Sequence, residues 1–422
     1  MKPLIRHLRF SGLLWWIIPL ALLDVATLFL RTRYWIGIWP EAGAAAQVPA
    51  FLLGIAACGA SAWMSGARSR NGLDDQLAAT GKPSALIDLY RLSAVVTAFA
   101  FPYLCGVVAA WSVTWPTDPP GISMFFGYVL MGACVIVLSC SWGWLLGKLL
   151  TGRFAAIASV LTWIIATMAF RSATNISVMS GPPWKEVDFP ALVLRFGAVA
   201  AFSCAILFLP SRISPRKLPS RVASLASIAA GITVVLAISG VPAVVDRTAP
   251  ESLPCTSGAM KMCYWPEHEK YLGLMKKIDA RAATLPKGFS LPDRVYEYGT
   301  REEVFHVDGV THRQATGDFT IMEGNRWSLA SSISSVIAGK TFSSCDWQAA
   351  AAKHDSTADA VGHWVEIYLA GGGDPDYRLE GATPEYVKAS EESAAEAKTH
   401  SKEEQFAWVH KKMEDFRARY CR

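Results

Sequence analysis

Hydrophobic and polar positions follow two patterns that meet near Val244. Before it, long apolar runs are separated by short bursts of charge; after it, Lys, Arg, Asp and Glu recur every few residues. Crossing roughly 30 Å of hydrocarbon takes about 20 apolar residues in a helix. On that rule spans fall near 11–30, 46–65, 91–114, 123–147, 154–170, 190–210 and 222–243. The pattern predicts an α-helical membrane bundle of about seven transmembrane helices over residues 1–244. The run from Leu13 is too long for a secretory signal and lacks a small-residue cleavage site, so it counts as the first span.

Residues 245–254 read as a linker by their Pro, Ser and Thr content. The remaining 255–422 are long enough to bury a core of their own. A helical pattern runs from Glu267 to about Leu285, and strand character follows at 294–298, 303–307 and 318–322, with Asp308-Gly309 as a hairpin turn. Helices are predicted near 325–339, 357–370, 384–398 and 402–420, which gives an α+β or α/β domain. The last is the best defined: Ser401 and Glu404 form a capping box, and Phe406, Val409, Met413, Phe416 and Tyr420 repeat at helical spacing.

Composition agrees with two solvents in one chain: 422 residues, 52% hydrophobic and 18% charged, with a mean hydropathy of +0.27. The net charge of +5 is not a patch for nucleic acid, because the cations sit at the ends of apolar runs. With Lys2, Arg6 and Arg9 inside, the connections bearing Arg68, Arg70 and Lys82, then Lys148 and Arg153, then Arg212, Arg216, Lys217 and Arg221 all fall on the cytoplasmic side. Arg31 and Arg33 are the exception. The expected orientation is N-terminus in, C-terminus out, in a multi-pass cell-membrane protein with an extracellular C-terminal domain. Trp15, Trp39, Trp111, Trp115, Trp144 and Trp184 fall near proposed span ends, as interfacial rings would. Asp24 and Arg195 are intramembrane polar residues that either pair, line a polar path or snorkel to an interface.

Cys58, Cys105, Cys134, Cys140 and Cys204 lie in predicted spans, whereas Cys255, Cys263, Cys345 and Cys421 lie in the outer domain. Four cysteines in an oxidising compartment suggest two bridges. Of three connectivities, Cys255 with Cys263 and Cys345 with Cys421 is preferred: the first closes a short loop and the second ties the last helix to the body. His268-Glu269 begins like a metallopeptidase helix, but Leu272 stands where the second imidazole belongs. His306, His312, His354 and His363 have no helical-face spacing for a metal, so no metal site is expected. The only Gly-Lys-Thr, at 339–341, has Ser334 in place of the Gly that a phosphate loop requires. No catalytic residues, cofactor or enzymatic activity are assigned to this chain.

The loop from Arg68 to Pro83 is the longest inner connection and has an internal plan. Leu73 and Leu77 are a turn apart, Asp74 and Asp75 enrich the first turn, and Gly81 and Pro83 end the segment. A short amphipathic helix near 72–80 at the lipid surface fits. Gly-Leu-Asp-Asp-Gln-Leu-Ala-Ala-Thr after a basic exit from the second span resembles the region between the second and third spans of type-2 ATP-binding-cassette exporter permeases. That resemblance implies a coupling helix whose Leu73, Asp74, Asp75 and Leu77 face a cytoplasmic ATPase subunit, which binds the ATP and Mg. It also implies a dimer of membrane subunits. The order Cys255, Cys263-Tyr-Trp-Pro-Glu-His, Trp327, Cys345, His363-Trp-Val-Glu-Ile-Tyr-Leu-Ala-Gly-Gly resembles the outer domains of poorly characterised actinobacterial membrane proteins associated with such transporters. The expected role is the permease subunit of an exporter, with an outer domain that gates or recognises cargo. Two other classes stand beside it: a membrane-anchored sensor or immunity protein that binds a peptide outside the cell, and a degenerate ectopeptidase.

Overall fold

The apolar runs of the first half become helices in the computed structural model, which describes residues 12–30, 33–70, 83–150, 154–169, 180–209, 229, 241–307, 310–373 and 383–421. The chain divides into two compact units, Met1–Val245 and Asp246–Arg422. In the first unit the helices are α1 (Leu14–Leu30), α2 (Trp39–Gln47), α3 (Pro49–Arg70), α4 (Ser84–Thr114), α5 (Ile122–Leu149), α6 (Phe154–Ala169) and α7 (Phe189–Leu207). Four stretches, Trp39–Ala67, Ser84–Thr117, Ile122–Leu149 and Phe189–Leu207, are long and apolar enough to cross a membrane, and α1 and α6 are shorter apolar helices. The protein is therefore a helical membrane protein. The seventh predicted run, 222–243, lies almost wholly outside the described residues.

The second membrane helix begins earlier than its hydropathy suggests. Pro40 and Glu41 look like a boundary in sequence, yet Pro40 occupies the first turn of α2, where its missing N–H costs nothing. Glu41 is buried, its carboxylate accepting from the Ser180 hydroxyl at 2.9 Å and the Gly181 amide at 3.0 Å. Every residue of α2 is buried. Pro49 then separates α2 from α3.

Small residues bring α3 and α5 together. A Cβ placed on Gly143 would lie 2.0 Å from the Cys58 carbonyl oxygen, and one on Gly147 would lie 2.4 Å from that of Ala62. This is the Gly-x-x-x-Gly contact by which membrane helices approach closely. The Ser61 hydroxyl donates to the Cys140 carbonyl at 2.5 Å and Ser65 to that of Trp144 at 3.0 Å, so the seam is also hydrogen-bonded. Two tryptophans expected at interfaces are instead interior: Trp39 and Trp144 are fully buried. Trp39 packs on Trp111 and Phe125, with ring centroids 4.9 and 5.3 Å apart. Trp15 and Trp115 remain exposed on the surface of the unit.

In the second unit a 3-10 turn, Pro266–Tyr271, leads into α8 (Leu272–Ala282), followed by α9 (Arg326–Thr341), α10 (Trp347–Ala352), α11 (Thr357–Ala370), α12 (Pro384–Thr399) and α13 (Lys402–Tyr420). Strands β1 (Lys261–Cys263) and β2 (Arg294–Tyr296) pair in parallel. Strands β3 (Arg301–Val307) and β4 (Val310–Thr316) form an antiparallel hairpin, whose turn lies outside the described residues. The strand expected at 318–322 is reduced to a bridge between Glu297 and Phe319. The reason is local: Gly317 backs onto the Tyr298 backbone, and the chain makes only its Phe319 contact there before turning into α9. The core gathers Met262, Ile278, Val295, Phe319, Trp327, Ile333, Trp364, Val409 and Phe416. Ser401 and Glu404 cap α13 reciprocally.

A candidate functional site in the helix bundle

The densest polar chemistry of the first unit sits where α3 ends, α4 begins and α5 and α7 end. Lys148 was expected in a solvated connection, but α5 continues to Leu149 and keeps it inside, its side chain 3% exposed. Its ammonium reaches the Asp88 carboxylate at 2.7 Å and donates to the carbonyls of Ile206 at 2.9 Å and Leu209 at 3.0 Å. The ammonium thus has an ion-pair partner and two carbonyl acceptors. Ile206 lies in the last turn of α7 and Leu209 just beyond its end, where a cation also complements the helix dipole. One turn on from Asp88, Arg91 donates to the Met64 carbonyl of α3 and its guanidinium lies 5.6 Å from the centre of the Trp144 ring. Four helices are therefore joined by two cations and one carboxylate.

This brace was not singled out in the sequence. Asp88 and Arg91 stand in the first two turns of α4, Asp88 just ahead of the predicted span and Arg91 at its first position, and read as the charged flank of that span. The available signal was spacing: Asp88 and Arg91 are three apart and share a helix face.

Leu73, Asp74, Asp75 and Leu77, the residues assigned to an ATPase contact, lie outside the described residues. Their connection leaves from α3 at Arg70 and re-enters at α4, so its two flanks are helices that the brace joins. Asp24 and Arg195 are both buried, 1% and 5% exposed, so neither snorkels to the surface of the unit. Asp24 packs on α4 where a Cβ at Gly106 would lie 1.7 Å from its Oδ2, and neither carboxylate oxygen has a hydrogen-bond partner among the described residues. Arg195 donates to the Val241 carbonyl at 2.9 Å. The two form no ion pair with each other among the described residues.

In the second unit the cysteines are joined as Cys255–Cys263 and Cys345–Cys421. The first closes the loop before β1, and the second fastens the end of α13 behind α9. His268, considered above as a metal ligand, lies in the 3-10 turn with Nδ1 2.5 Å from Glu297 Oε1. Glu297 Oε2 accepts from the Trp265 amide at 3.0 Å, and both residues are buried. The pair ties the turn to the segment after β2. Gly339–Thr341 ends α9 instead of preceding a helix, which is the wrong end for cradling a phosphate. His363 lies on α11 beside Glu366.

Comparison with known proteins gives no match: no family model, no curated protein and no solved structure is significantly similar to this chain.

Proposed function

We propose that this chain is the membrane subunit of an exporter powered by a separate cytoplasmic ATPase of the ATP-binding-cassette type. In this reading the N-terminus is inside, seven spans cross the membrane, and the second unit lies outside the cell. A surface helix near 72–80 docks on the ATPase through Leu73, Asp74, Asp75 and Leu77, and two membrane subunits form the working assembly. The two disulfides suit an oxidising compartment and support the outer assignment of the second unit.

One observation carries the reading. The connection proposed to receive mechanical work joins two helices, α3 and α4, that Arg91 ties together and that Asp88 and Lys148 tie to α5 and α7. A displacement of that connection is thereby delivered to four helices at once. A loop joined to a single free helix would dissipate it. Switching by rigid groups of helices needs such a linkage between the effector contact and the moving body. The close α3–α5 seam, with Gly143 and Gly147 against the α3 backbone, supplies a stiff unit for it to act on.

Co-purification tests the proposal. An affinity-tagged full-length chain, extracted in mild detergent, is expected to retain an ATPase subunit in fixed ratio, and the triple change Asp74→Ala, Asp75→Ala, Leu77→Ala is expected to release it while leaving the chain in the membrane. Recovery of the tagged chain without any ATPase, under conditions that preserve other such assemblies, rejects it.

A further inference from the structure

We propose that the second unit binds a small organic ammonium group in a cleft between α9 and α11. The inference does not depend on the transport reading, because the cleft lies wholly within the second unit. It measures about 290 Å³, at the lower end for ligand sites and suited to a single head group. Small residues leave the space: a Cβ added at Gly339 meets nothing within 4 Å, and one at Gly362 meets only the Ala338 Cβ at 4.0 Å.

His363, Glu366 and Asp359 set the polarity of the cleft. His363 lines the cleft, is 5% exposed, and its Nε2 has no hydrogen-bond partner among the described residues. An unpaired buried polar atom costs about 1–3 kcal/mol. Its Nδ1 faces Glu366 Oε2, one turn on, at 3.5 Å. The tautomer with its proton on Nδ1 answers that carboxylate, while Nε2 is itself enclosed by protein.

The rest of the lining shares this polarity. The hydroxyls of Ser334 and Ser335 both donate back to the Ser331 carbonyl, at 2.9 and 3.0 Å, so each presents only lone pairs. Asp359 stands exposed at the rim and enters no hydrogen bond or ion pair among the described residues. Tyr386 sets its ring edge-to-face against His363, with centroids 4.5 Å apart, and the indole of Trp347 forms the opposite wall, 42% exposed. Among the described residues no Lys or Arg lines the cleft. The Tyr386 phenol is pushed up by burial and then by the charges of Glu366 and Asp359, which places the negative field inside the cleft. Acceptors and π-faces without cations are complementary to a donor-rich positive group. An anion would meet like charge, and an apolar ligand would leave the Asp359 carboxylate without a counter-charge.

The test uses the full-length protein in detergent micelles, with n-butylammonium as the probe and n-butanol as its neutral isostere, read by calorimetry or ligand-observed NMR. Butylammonium is expected to bind in the millimolar range or tighter, with butanol about tenfold weaker or more, the difference expected for losing a charged partner in such a site. Gly362→Leu, which fills the cleft from an uncrowded backbone position, is expected to weaken butylammonium by about tenfold or more. Should that variant fail to keep both disulfides, Asp359→Asn at the exposed rim tests the same contact and is expected to weaken binding. Absence of butylammonium binding, equal affinity for butanol, preferential binding of Mn²⁺, or wild-type affinity in the folded variant would each overturn the assignment.

Discussion

At the scale of single residues, the chemistry that holds this protein together is concentrated in buried ions with several partners. Removing the ammonium in Lys148→Ala takes the ion-pair partner from buried Asp88 and strips two carbonyls of their donor, a change that costs about 3–5 kcal/mol. The charge-free pair Asp88→Leu with Lys148→Met is expected to recover most of that loss in a detergent unfolding titration. If Lys148→Ala unfolds with the wild type, the brace carries no stability. In the second unit, burial alone would raise the Asp355 carboxyl, but hydrogen bonds from the hydroxyl and amide of Thr357 and from Tyr420, with Arg419 beside it, hold it below its usual range. A depressed folded-state value contributes stability that is present above the unfolded value, about 4, and is lost as pH falls through the folded one. The unit is therefore expected to weaken on acidification below about pH 4, and Asp355→Asn is expected to flatten that slope; an unchanged slope would remove Asp355 from the account. Residues of this kind were poorly legible in sequence. Lys148 and Trp144 sit where a rule about span ends places them at an interface, and only the continuation of α5 to Leu149 shows them to be interior. Ser401 and Glu404 were legible because a capping box is local, its two hydrogen bonds closing within four residues.

Among elements, legibility followed contact range. Helices α9, α11, α12 and α13 lie close to their expected bounds because each carries its own cap or periodicity. The parallel pairing of β1 with β2 was not expected, since β1 has three residues and its partner lies more than thirty positions on; such pairing is decided by the tertiary core and not by the local pattern. The short α10 was missed for a related reason: its six residues, capped by Asp346, are too few to show a period. Likewise α2 was hidden by Pro40 and Glu41, whose burial depends on Ser180 and Gly181 from far along the chain. The α3–α5 seam makes the clearest prediction at this scale. Gly143→Val requires the two helices to separate, because its Cβ would overlap the Cys58 carbonyl. Such a variant is expected to lose the bundle's resistance to detergent unfolding, whereas Gly197→Val, where a Cβ meets nothing within 4 Å, is expected to behave as the wild type. Equal stability of the two variants would show that the seam does not hold the bundle.

As a whole, the molecule has a helical membrane unit and a cross-linked second unit with a cleft of its own. The two bridges of that unit differ in reach. Opening the Cys345–Cys421 link, which spans 76 residues, is expected to cost about 4.5 kcal/mol, and opening the 8-residue Cys255–Cys263 link about 2.5 kcal/mol, on chain entropy. Serine pairs at each site, melted in parallel, test that order, and a reversed order would mean that local packing outweighs chain entropy. The broad division of the chain was legible from charge and hydropathy, because a change of solvent alters every residue on either side of it. The purpose of the second unit was not, since the cleft lining comes from four helices brought together only by folding. The central claim is that residues 71–82 face the ATP-containing side of the membrane while the second unit faces the other. It is tested most directly by labelling intact cells with a membrane-impermeant maleimide, using one cysteine introduced at Gln76 and, in a separate chain, one at the exposed Ser335. The account predicts that Ser335→Cys reacts in intact cells and Gln76→Cys only after permeabilisation; reaction of both from the same side would contradict it.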